Sequence, residues 1–218
     1  MNQQLEIGHG RESRRSGAPT LFALIGIAGP IFYIGLTTIL GLLWDGYDQI
    51  RDTQSELGAV DSPYRHAMNV GGFMALGVSI LAFAAAYRWE LPRGIVQLLA
   101  TGLLCLAGAG MVIVGFFPCD PGCVDVTDTG RLHGVFSAPG AIGLPVAAML
   151  SASVFRSDGR FSIRWQIVSF WLGLLSLASG PIIAAGLAED VSGLLQRAGM
   201  WSPLLWMAAV SIRLRSPG

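Results

Sequence analysis

Three arginines recur at equal spacing in the chain, and two of them stand beside a histidine. Arg65 and His66 lie in SPYRHAMN, Arg131 and His133 lie in GRLHG, and Arg197 lies in LLQRAGM. Each arginine is 66 residues from the next. A guanidinium binds phosphate or carboxylate through paired hydrogen bonds, and an imidazole can serve as a base, a proton-sensitive switch or a metal ligand. These side chains are therefore the first candidates for a binding site.

Two interpretations of the arginines stay open. Each arginine precedes an apolar run where a returning helix begins, and a cation at a helix N-terminus is unfavourable unless a negative group lies nearby. Acids close in sequence can supply that group, which is the favoured interpretation, and the candidates are Asp61, Asp128, Glu189 and Asp190. The alternative is an anion site in which the arginines and the helix N-termini bind a headgroup, a phosphate or a carboxylate.

The two histidines also allow a structural and a functional interpretation. His66 and His133 are expected near a membrane surface on the second and fourth apolar runs, and they could approach one another if those helices adjoin. A bond from each ring to a backbone carbonyl or an acid is favoured, because no third protein ligand stands in an obvious metal-binding motif. No metal and no cofactor are therefore predicted. Asn69 is expected to lie deeper in the same mouth.

A cysteine pair stands in FFPCDPGCVD. Cys119 and Cys123 fall on the side of the membrane predicted to be outside, where thiols are oxidised, so a small disulfide-closed loop is the leading prediction. A metal site that uses both thiols with Asp120 or Asp125 is the alternative, although two thiols are too few for a structural zinc site. Cys105 falls in mid-membrane and is interpreted as a packing residue.

The elements that position these residues are six apolar runs. Apolar residues make up 52% of the 218 residues and charged residues only 13%, which is too little polar material to cover a soluble domain. The sequence predicts an all-α bundle of six transmembrane helices. A polar tail, 1–19, precedes the transmembrane domain, 20–213, and a second tail, 214–218, follows it. The predicted spans are 20–44, 67–88, 94–117, 132–155, 165–187 and 196–213.

The distribution of arginine predicts the orientation. The chain has 14 arginines and no lysine, and ten of them fall on the side that holds both termini. Because cationic residues retained in the cytoplasm set topology, we expect a plasma-membrane protein of three hairpins with both termini cytoplasmic. The acid-rich segment 44–69 is then the first outer loop. A short helix in it, capped by Asp45 and ended by Gly58, would form either a lid or an inert connector.

Several functions are disfavoured by what the sequence lacks. No ionisable side chain falls in the middle of any apolar run, which argues against a transporter driven by protons or sodium ions. The chain has no phosphate-binding loop, dinucleotide fingerprint, nucleophile elbow or zinc-protease helix. Its basic residues cluster only where they would set topology, so nucleic acid is not an expected partner.

Four stretches, in order, resemble one protein family. GLLWDGYDQIRDTQSELGA, PYRHAMNVGGF, GFFPCD and GRLHG are similar to a group of bacterial and archaeal six-span membrane proteins known as domain of unknown function 998. The resemblance covers about residues 20–213 and implies a six-helix membrane protein with an outer first loop. It implies no catalytic residues, and the paired cysteines of CDPGC are an addition to the family pattern.

Three hypotheses for the function follow. The leading one is the binding of a membrane lipid headgroup or small amphiphile in an outward-facing polar pocket, with Asn69 at depth and a rim of Arg65, His66, Arg131, His133 and Arg197. The second is a structural or accessory subunit that binds another membrane protein or forms a homo-oligomer. The third is a membrane-embedded hydrolase or transferase that uses His66 or His133 as its base.

Overall fold

The computed structural model describes residues 17–216, and this part of the chain is helical without any strand. Residues Ala67–Met74 are π-helical. Residues 1–16 and 217–218, which hold most of the predicted tails, lie outside the described residues. Short 3₁₀ helices occupy the connections: Gln54–Gly58, Pro121–Cys123, Phe155–Ser157 and Glu189–Val191. The long helices are α1 Ala18–Leu43, α2 Ala67–Glu90, α3 Ile95–Val114, α4 Asp128–Val154, α5 Ile163–Ala184 and α6 Ser192–Arg215.

The long helices follow the six apolar runs. The largest difference is four residues, at the starts of α4 and α6. Thr127 accounts for the early start of α4, because its hydroxyl accepts a hydrogen bond from Gly130 N at 3.1 Å and so caps the helix. The helices α1 to α5 are long and apolar enough to cross a membrane. The more polar α6, which carries Arg197 in its first half and Arg213 and Arg215 at its end, is not among them.

The helices form a ring in chain order. Each long helix packs against the next, and α6 packs against α1 to close the circle. Close approach depends on small residues, as expected where helices associate in a membrane. A Cβ atom added to Gly77 on α2 would lie only 2.6 Å from Gly108 O on α3. Large apolar side chains such as Leu42 and Trp171 remain exposed on the outside of the ring, where lipid would cover them.

The connections divide the molecule into two ends. At the short-loop end, formed by residues 91–94 and 155–162, Arg160 joins three parts of the chain. Its Nη2 contacts Asp158 Oδ2 at 2.7 Å, and its Nη1 contacts Glu90 Oε2 at 3.5 Å and Leu214 O at 3.2 Å. Arg213 Nε in turn donates to Arg160 O at 2.6 Å. The ends of α2 and α6 are thereby fixed to the connection between α4 and α5.

The long-loop end is formed by residues 44–66, 115–127 and 185–191. We call residues 44–66 the cover. The prediction of a helix capped by Asp45 is wrong, because residues 44–53 form turns and only Gln54–Gly58 is helical. Thr53 caps this helix together with Glu56, whose carboxylate accepts a hydrogen bond from Thr53 N at 2.8 Å. The helix ends at Gly58, as expected.

Candidate functional site

The helix ring encloses a cavity of about 280 Å³ that receives residues from all six helices and from the cover. Its walls are largely apolar, with Phe73, Ile80, Leu144 and Leu204 among them. Among residues 17–216, those that line the cavity include no charged side chain. Its polar groups are all neutral, namely the side chains of Tyr33, Ser55, Ser137, Ser176, Ser179 and Gln196. Such a lining accommodates an apolar ligand that also carries uncharged hydrogen-bonding groups.

The exposed part of the cavity lining lies on α4 and α5, which indicates that the cavity opens sideways between these two helices. Three of its lining residues are exposed on the surface of the ring: Ala141 on α4, and Gly180 and Ala184 on α5. Further toward the short-loop end the same helices are in close contact, since a Cβ atom on Gly173 would lie 2.5 Å from Pro145 O. The gap is therefore confined to the half of the helices near the long-loop end, and small residues keep it open.

The cover closes the cavity at the long-loop end and is bonded to α6. Ser55 of the cover lines the cavity, and its neighbour Gln54 is buried. Gln54 N donates to Gln196 Oε1 at 2.6 Å, and Trp201 Nε1 donates to Gln54 Oε1 at 3.0 Å. Because Gln196 also lines the cavity, a ligand that bonds to Gln196 would compete with the cover.

Arg197 is the main anchor of the cover. The side chain is buried, and its Nη2 donates to Tyr47 Oη at 2.6 Å while its Nη1 donates to Asp52 O at 2.9 Å and to Gln49 O. Its guanidinium carbon lies 5.6 Å from the centre of the Tyr47 ring, within the range of a cation–π contact. Burial raises the pKa of Tyr47 to about 12, against the opposing effect of the Arg197 cation, so the phenol stays neutral.

The start of α6 is capped by the backbone of the cover. Gly193 N donates to Arg51 O at 3.0 Å, and Leu194 N donates to Ile50 O at 2.9 Å. These amides are among those that a helix leaves unpaired at its N-terminus. The carbonyl groups of the cover thus satisfy both the helix terminus and Arg197, and no carboxylate among the described residues lies within ion-pair distance of Arg197.

Asn69 fixes the other end of the cover to α2. Its Nδ2 donates to Gly58 O and to Arg65 O, both at 2.8 Å. Arg65 O is the carbonyl that Asn69 N would bond in an α-helix, so the side chain helps to accommodate the π-helical start of α2. Asn69 Oδ1 is buried, and the described part of the chain offers it no hydrogen-bond partner. None of Asn69, Arg65 and Arg197 is among the residues that line the cavity.

Arg65 and Arg131, the other two of the three equally spaced arginines, lie nearer the surface and have different partners. Arg131 pairs with Asp128 through an Nη1–Oδ1 distance of 3.2 Å, and both side chains are largely exposed. Acid pairing, the favoured interpretation of the arginines, therefore holds for Arg131. Arg65 Nη2 instead donates to His66 Nε2 at 3.3 Å, and residues 17–216 supply no acid within ion-pair distance of it. The three equally spaced arginines thus do not form one cluster of contacts.

His133 is buried beside the cysteine pair. A Cys119–Cys123 disulfide is present, as the sequence predicts. One ring nitrogen of His133 and the two sulfur atoms all lie within 4.8 Å of one another. His133 Nδ1 is hydrogen bonded to Phe117 O at 2.7 Å, which is the carbonyl bond favoured for this histidine. His133 and His66 have separate partners and do not share a hydrogen bond.

Asp120, between the cysteines, holds Thr127, the residue that caps α4. Its carboxylate accepts hydrogen bonds from Thr127 N at 2.8 Å, Val126 N at 3.0 Å and Thr127 Oγ1 at 2.8 Å. The bond from Thr127 N, with further help from the Thr127 hydroxyl and Val126 N, holds the pKa of Asp120 below its usual 3.8 despite burial. The carboxylate is therefore committed to the helix terminus.

Sequence reasoning missed the polar residues of the cavity. Ser176 and Ser179 are three positions apart on α5, so they share one helix face, and they precede the Gly180–Pro181 pair inside the same helix. Hydroxyl groups on one face next to a proline are a signal that can be read from the sequence. Gln196 stands directly before Arg197, and a single amide beside a charged residue forms no pattern that predicts a cavity.

The fold and the cavity define a membrane-embedded, all-helical protein with an internal cavity under a hydrogen-bonded cover. Residues 27–213 match the family described as Protein of unknown function (DUF998), and the chain belongs to that family. This confirms the resemblance seen in the sequence. No curated protein and no solved structure shows a significant match to the chain.

Proposed function

We propose that this protein binds a membrane lipid or another small amphiphile in the cavity of the helix ring. The observation that carries the proposal is the lateral opening between α4 and α5, lined by Ala141, Gly180 and Ala184. Exposed residues beside these three, such as Ile142 and Ile182, are apolar, so the opening would face the acyl chains of the bilayer. At about 280 Å³ the cavity lies at the small end of ligand sites, which favours one chain over a whole phospholipid.

The neutral lining favours an uncharged polar group on the bound part of the ligand. Burial of an unpaired charge among apolar side chains costs far more than burial of a hydroxyl, ester or amide that finds a hydrogen-bond partner. Ser176, Ser179 and Gln196 offer such partners. A phosphate, if the ligand has one, would remain at the surface of the long-loop end, where Arg65 and Arg131 are the proposed contacts.

The membrane arrangement belongs to the proposal as well. We propose six spans in three hairpins in the plasma membrane, with α6 crossing because it lies between α5 and α1 in the ring. The long-loop end would face outward and both termini would be cytoplasmic, as the arginine distribution predicts. Exposed Asp61 and Arg93 allow a test, since they lie at opposite ends of the ring.

The orientation can be measured by labelling intact cells with a membrane-impermeant maleimide. We expect a cysteine at Asp61 to react and a cysteine at Arg93 to react only after the cells are broken. Labelling of Arg93→Cys in intact cells, without labelling of Asp61→Cys, would reverse the proposed orientation.

The binding proposal can be tested by native mass spectrometry of the protein released from lipid nanodiscs. We expect one discrete bound mass on the wild type and its loss from Gly180→Leu. A Cβ atom at Gly180 would meet no atom of residues 17–216 within 4 Å, so there is room for a larger side chain, and we expect the leucine to narrow the opening. Gly102→Leu is the matched control, because Gly102 is also exposed and free of neighbours but does not line the cavity.

Two results would contradict the binding proposal. One is a wild-type protein that carries no bound mass from any membrane in which it is folded. The other is equal retention of the bound mass in Gly180→Leu and Gly102→Leu, which would place the ligand on the outer surface. Release together with a second polypeptide, without a small bound mass, would favour an accessory subunit instead.

A further inference from the structure

We propose that Cys119, Cys123 and His133 bind one Zn²⁺ ion when the Cys119–Cys123 disulfide is reduced. The two sulfur atoms and one imidazole nitrogen lie within 4.8 Å of one another. Two thiolates and one imidazole are a known zinc ligand set, with a water molecule completing the tetrahedron. The sequence supplied only two ligands, because His133 is ten residues beyond Cys123 and on a different element.

The surroundings of His133 resemble the outer shell of a metal site. A carbonyl group only accepts hydrogen bonds, so the bond to Phe117 O places the proton of the neutral ring on Nδ1. Nε2 then keeps a free lone pair. A histidine that binds a metal usually donates its other N–H to a carbonyl or a carboxylate in this way, which fixes the orientation of the ring. The edge-on contact with the Phe73 ring, at 5.8 Å between centroids, restrains it further.

The three ligands differ in their exposure to water. Cys119 and His133 are buried, whereas Cys123 is partly exposed and lies in the short 3₁₀ turn Pro121–Cys123. One side of the trio is thus open to the water that would be the fourth ligand. Asp120 does not compete for the ion, because its carboxylate is bonded to the start of α4.

The chemistry requires a reductant, which we take to be a dithiol. Its thiolate attacks one sulfur of the disulfide, and the mixed disulfide is then resolved by its second thiol. Two electrons and two protons pass to Cys119 and Cys123, and the reductant leaves as its own disulfide. Zn²⁺ then displaces two thiol protons to form two zinc–thiolate bonds and one zinc–imidazole bond.

The trio also contacts the cover. Val60 N donates to Cys119 O at 3.0 Å, and Cys119 Sγ lies 3.5 Å from Ser55 O. Ser55 also lines the cavity. Replacement of the disulfide by a zinc site would therefore occur in direct contact with a cover residue that lines the cavity. The zinc site itself does not depend on the proposed amphiphile binding.

The test uses the full chain in detergent with Co²⁺ as a spectroscopic probe for Zn²⁺. The protein is reduced with a phosphine under anaerobic conditions, and free thiols are counted before the metal is added. We expect one Co²⁺ per reduced chain, with a thiolate-to-cobalt charge-transfer band that Zn²⁺ abolishes, and no band in the oxidised chain. His133→Gln should weaken binding by at least about tenfold, since even outer-shell changes cost this much. His66→Gln, at the exposed histidine, should bind as the wild type does.

Two outcomes would overturn the zinc site. A reduced wild type without the charge-transfer band is one, and a His133→Gln variant with unchanged affinity is the other. Should His133→Gln aggregate, Cys123→Ser decides, because it keeps the imidazole and removes one thiolate. Loss of the band in folded Cys123→Ser supports the site, and an unchanged band counts against it.

Discussion

The two ends of the molecule each rely on one arginine with little exposure, but the two arginines are held differently. At the short-loop end, Arg160 contacts the carboxylates of Asp158 and Glu90. At the long-loop end, Arg197 contacts two carbonyl groups and the hydroxyl of Tyr47. The first is an ion-pair cluster, whereas the second is a cation held by neutral acceptors.

This difference indicates which end can open. A buried ion pair is costly to break, because the partner left behind carries an uncompensated charge. Carbonyl groups released from Arg197 remain neutral and can bond to water when the cover lifts. We therefore expect the short-loop end to be the fixed end of the helix ring and the cover to be the part with the lower opening free energy.

The largest effect is expected from Arg160→Ala. Asp158 would lose its partner while remaining largely buried, which should lower the free energy of unfolding by about 3 kcal/mol. Thermal unfolding in detergent measures the effect. Arg156→Ala, at an exposed arginine in the same connection, is the control and should unfold as the wild type does. Equal losses in the two variants would show that Arg160 is not the centre of this end.

The same cluster should be sensitive to pH. Burial alone would raise the pKa of Asp158, but hydrogen bonds from Arg160 outweigh it and hold the pKa below the usual 3.8. A lowered pKa means that the stabilisation is fully present above pH 3.8 and is lost as pH falls through the folded value. The difference in melting temperature between Asp158→Asn and the wild type should therefore shrink below pH 3.8. A constant difference down to pH 2 would contradict the ion pair.

Arg197→Ala should have the next largest effect, confined to the cover. Loss of its hydrogen bonds should cost about 2 kcal/mol, because bonds to a charged group are stronger than neutral ones. Cleavage of the cover by a protease added in detergent is the direct measurement, and we expect faster cleavage within residues 44–66. Arg51→Ala removes an exposed ion pair of the cover and serves as the control. Unchanged protection in Arg197→Ala would contradict its role as the anchor.

Asp120→Asn should have a smaller effect, set by the loss of charge at the start of α4. Because the pKa of Asp120 is lowered, the carboxylate stabilises the fold above pH 3.8 and ceases to do so as pH falls through its folded value. We expect a lower melting temperature than that of the wild type at pH 7 and convergence of the two at low pH. A difference that grows on acidification would contradict a stabilising role for the Asp120 carboxylate before α4.

Arg131→Ala should have the smallest effect. Its pair with Asp128 is exposed on both sides, and such pairs contribute at most about 1 kcal/mol. Little change in the melting temperature is expected, so the variant can be used to test headgroup contact without loss of the fold. A large loss of stability would show that Arg131 has a buried partner.

The comparison also shows what the sequence could predict. The six apolar runs predicted the positions of the helices, because a run of apolar residues long enough to cross a membrane can be read directly from the sequence. The cysteine spacing and its predicted side of the membrane gave the disulfide. The partners of Arg197 were not predictable in this way, since backbone carbonyls have no signature in the sequence and lie about 145 residues away.

One further feature of the cover could have been predicted from the sequence, whereas the cavity could not. The four residues Thr53–Glu56 form a capping box, which is a sequence signature of a helix start. It predicts the start of the helix in the cover better than a cap at Asp45 does. The cavity depends on the rotation of α4 and α5 about their axes, and the apolar pattern of a membrane helix leaves this rotation unspecified. The packing of the six helices in the structure is what shows that Ser137 and Ser176 line the same cavity.

The most direct test of the account is photo-crosslinking with a single-chain amphiphile that carries an uncharged headgroup and a diazirine on its chain. The protein is labelled in nanodiscs, and the modified peptides are mapped by mass spectrometry. The account predicts that labels concentrate on residues 137–144 of α4 and 176–184 of α5, and that excess unlabelled amphiphile suppresses them. Labels spread over the exposed faces of all the helices, with no suppression by the unlabelled amphiphile, would contradict a binding cavity.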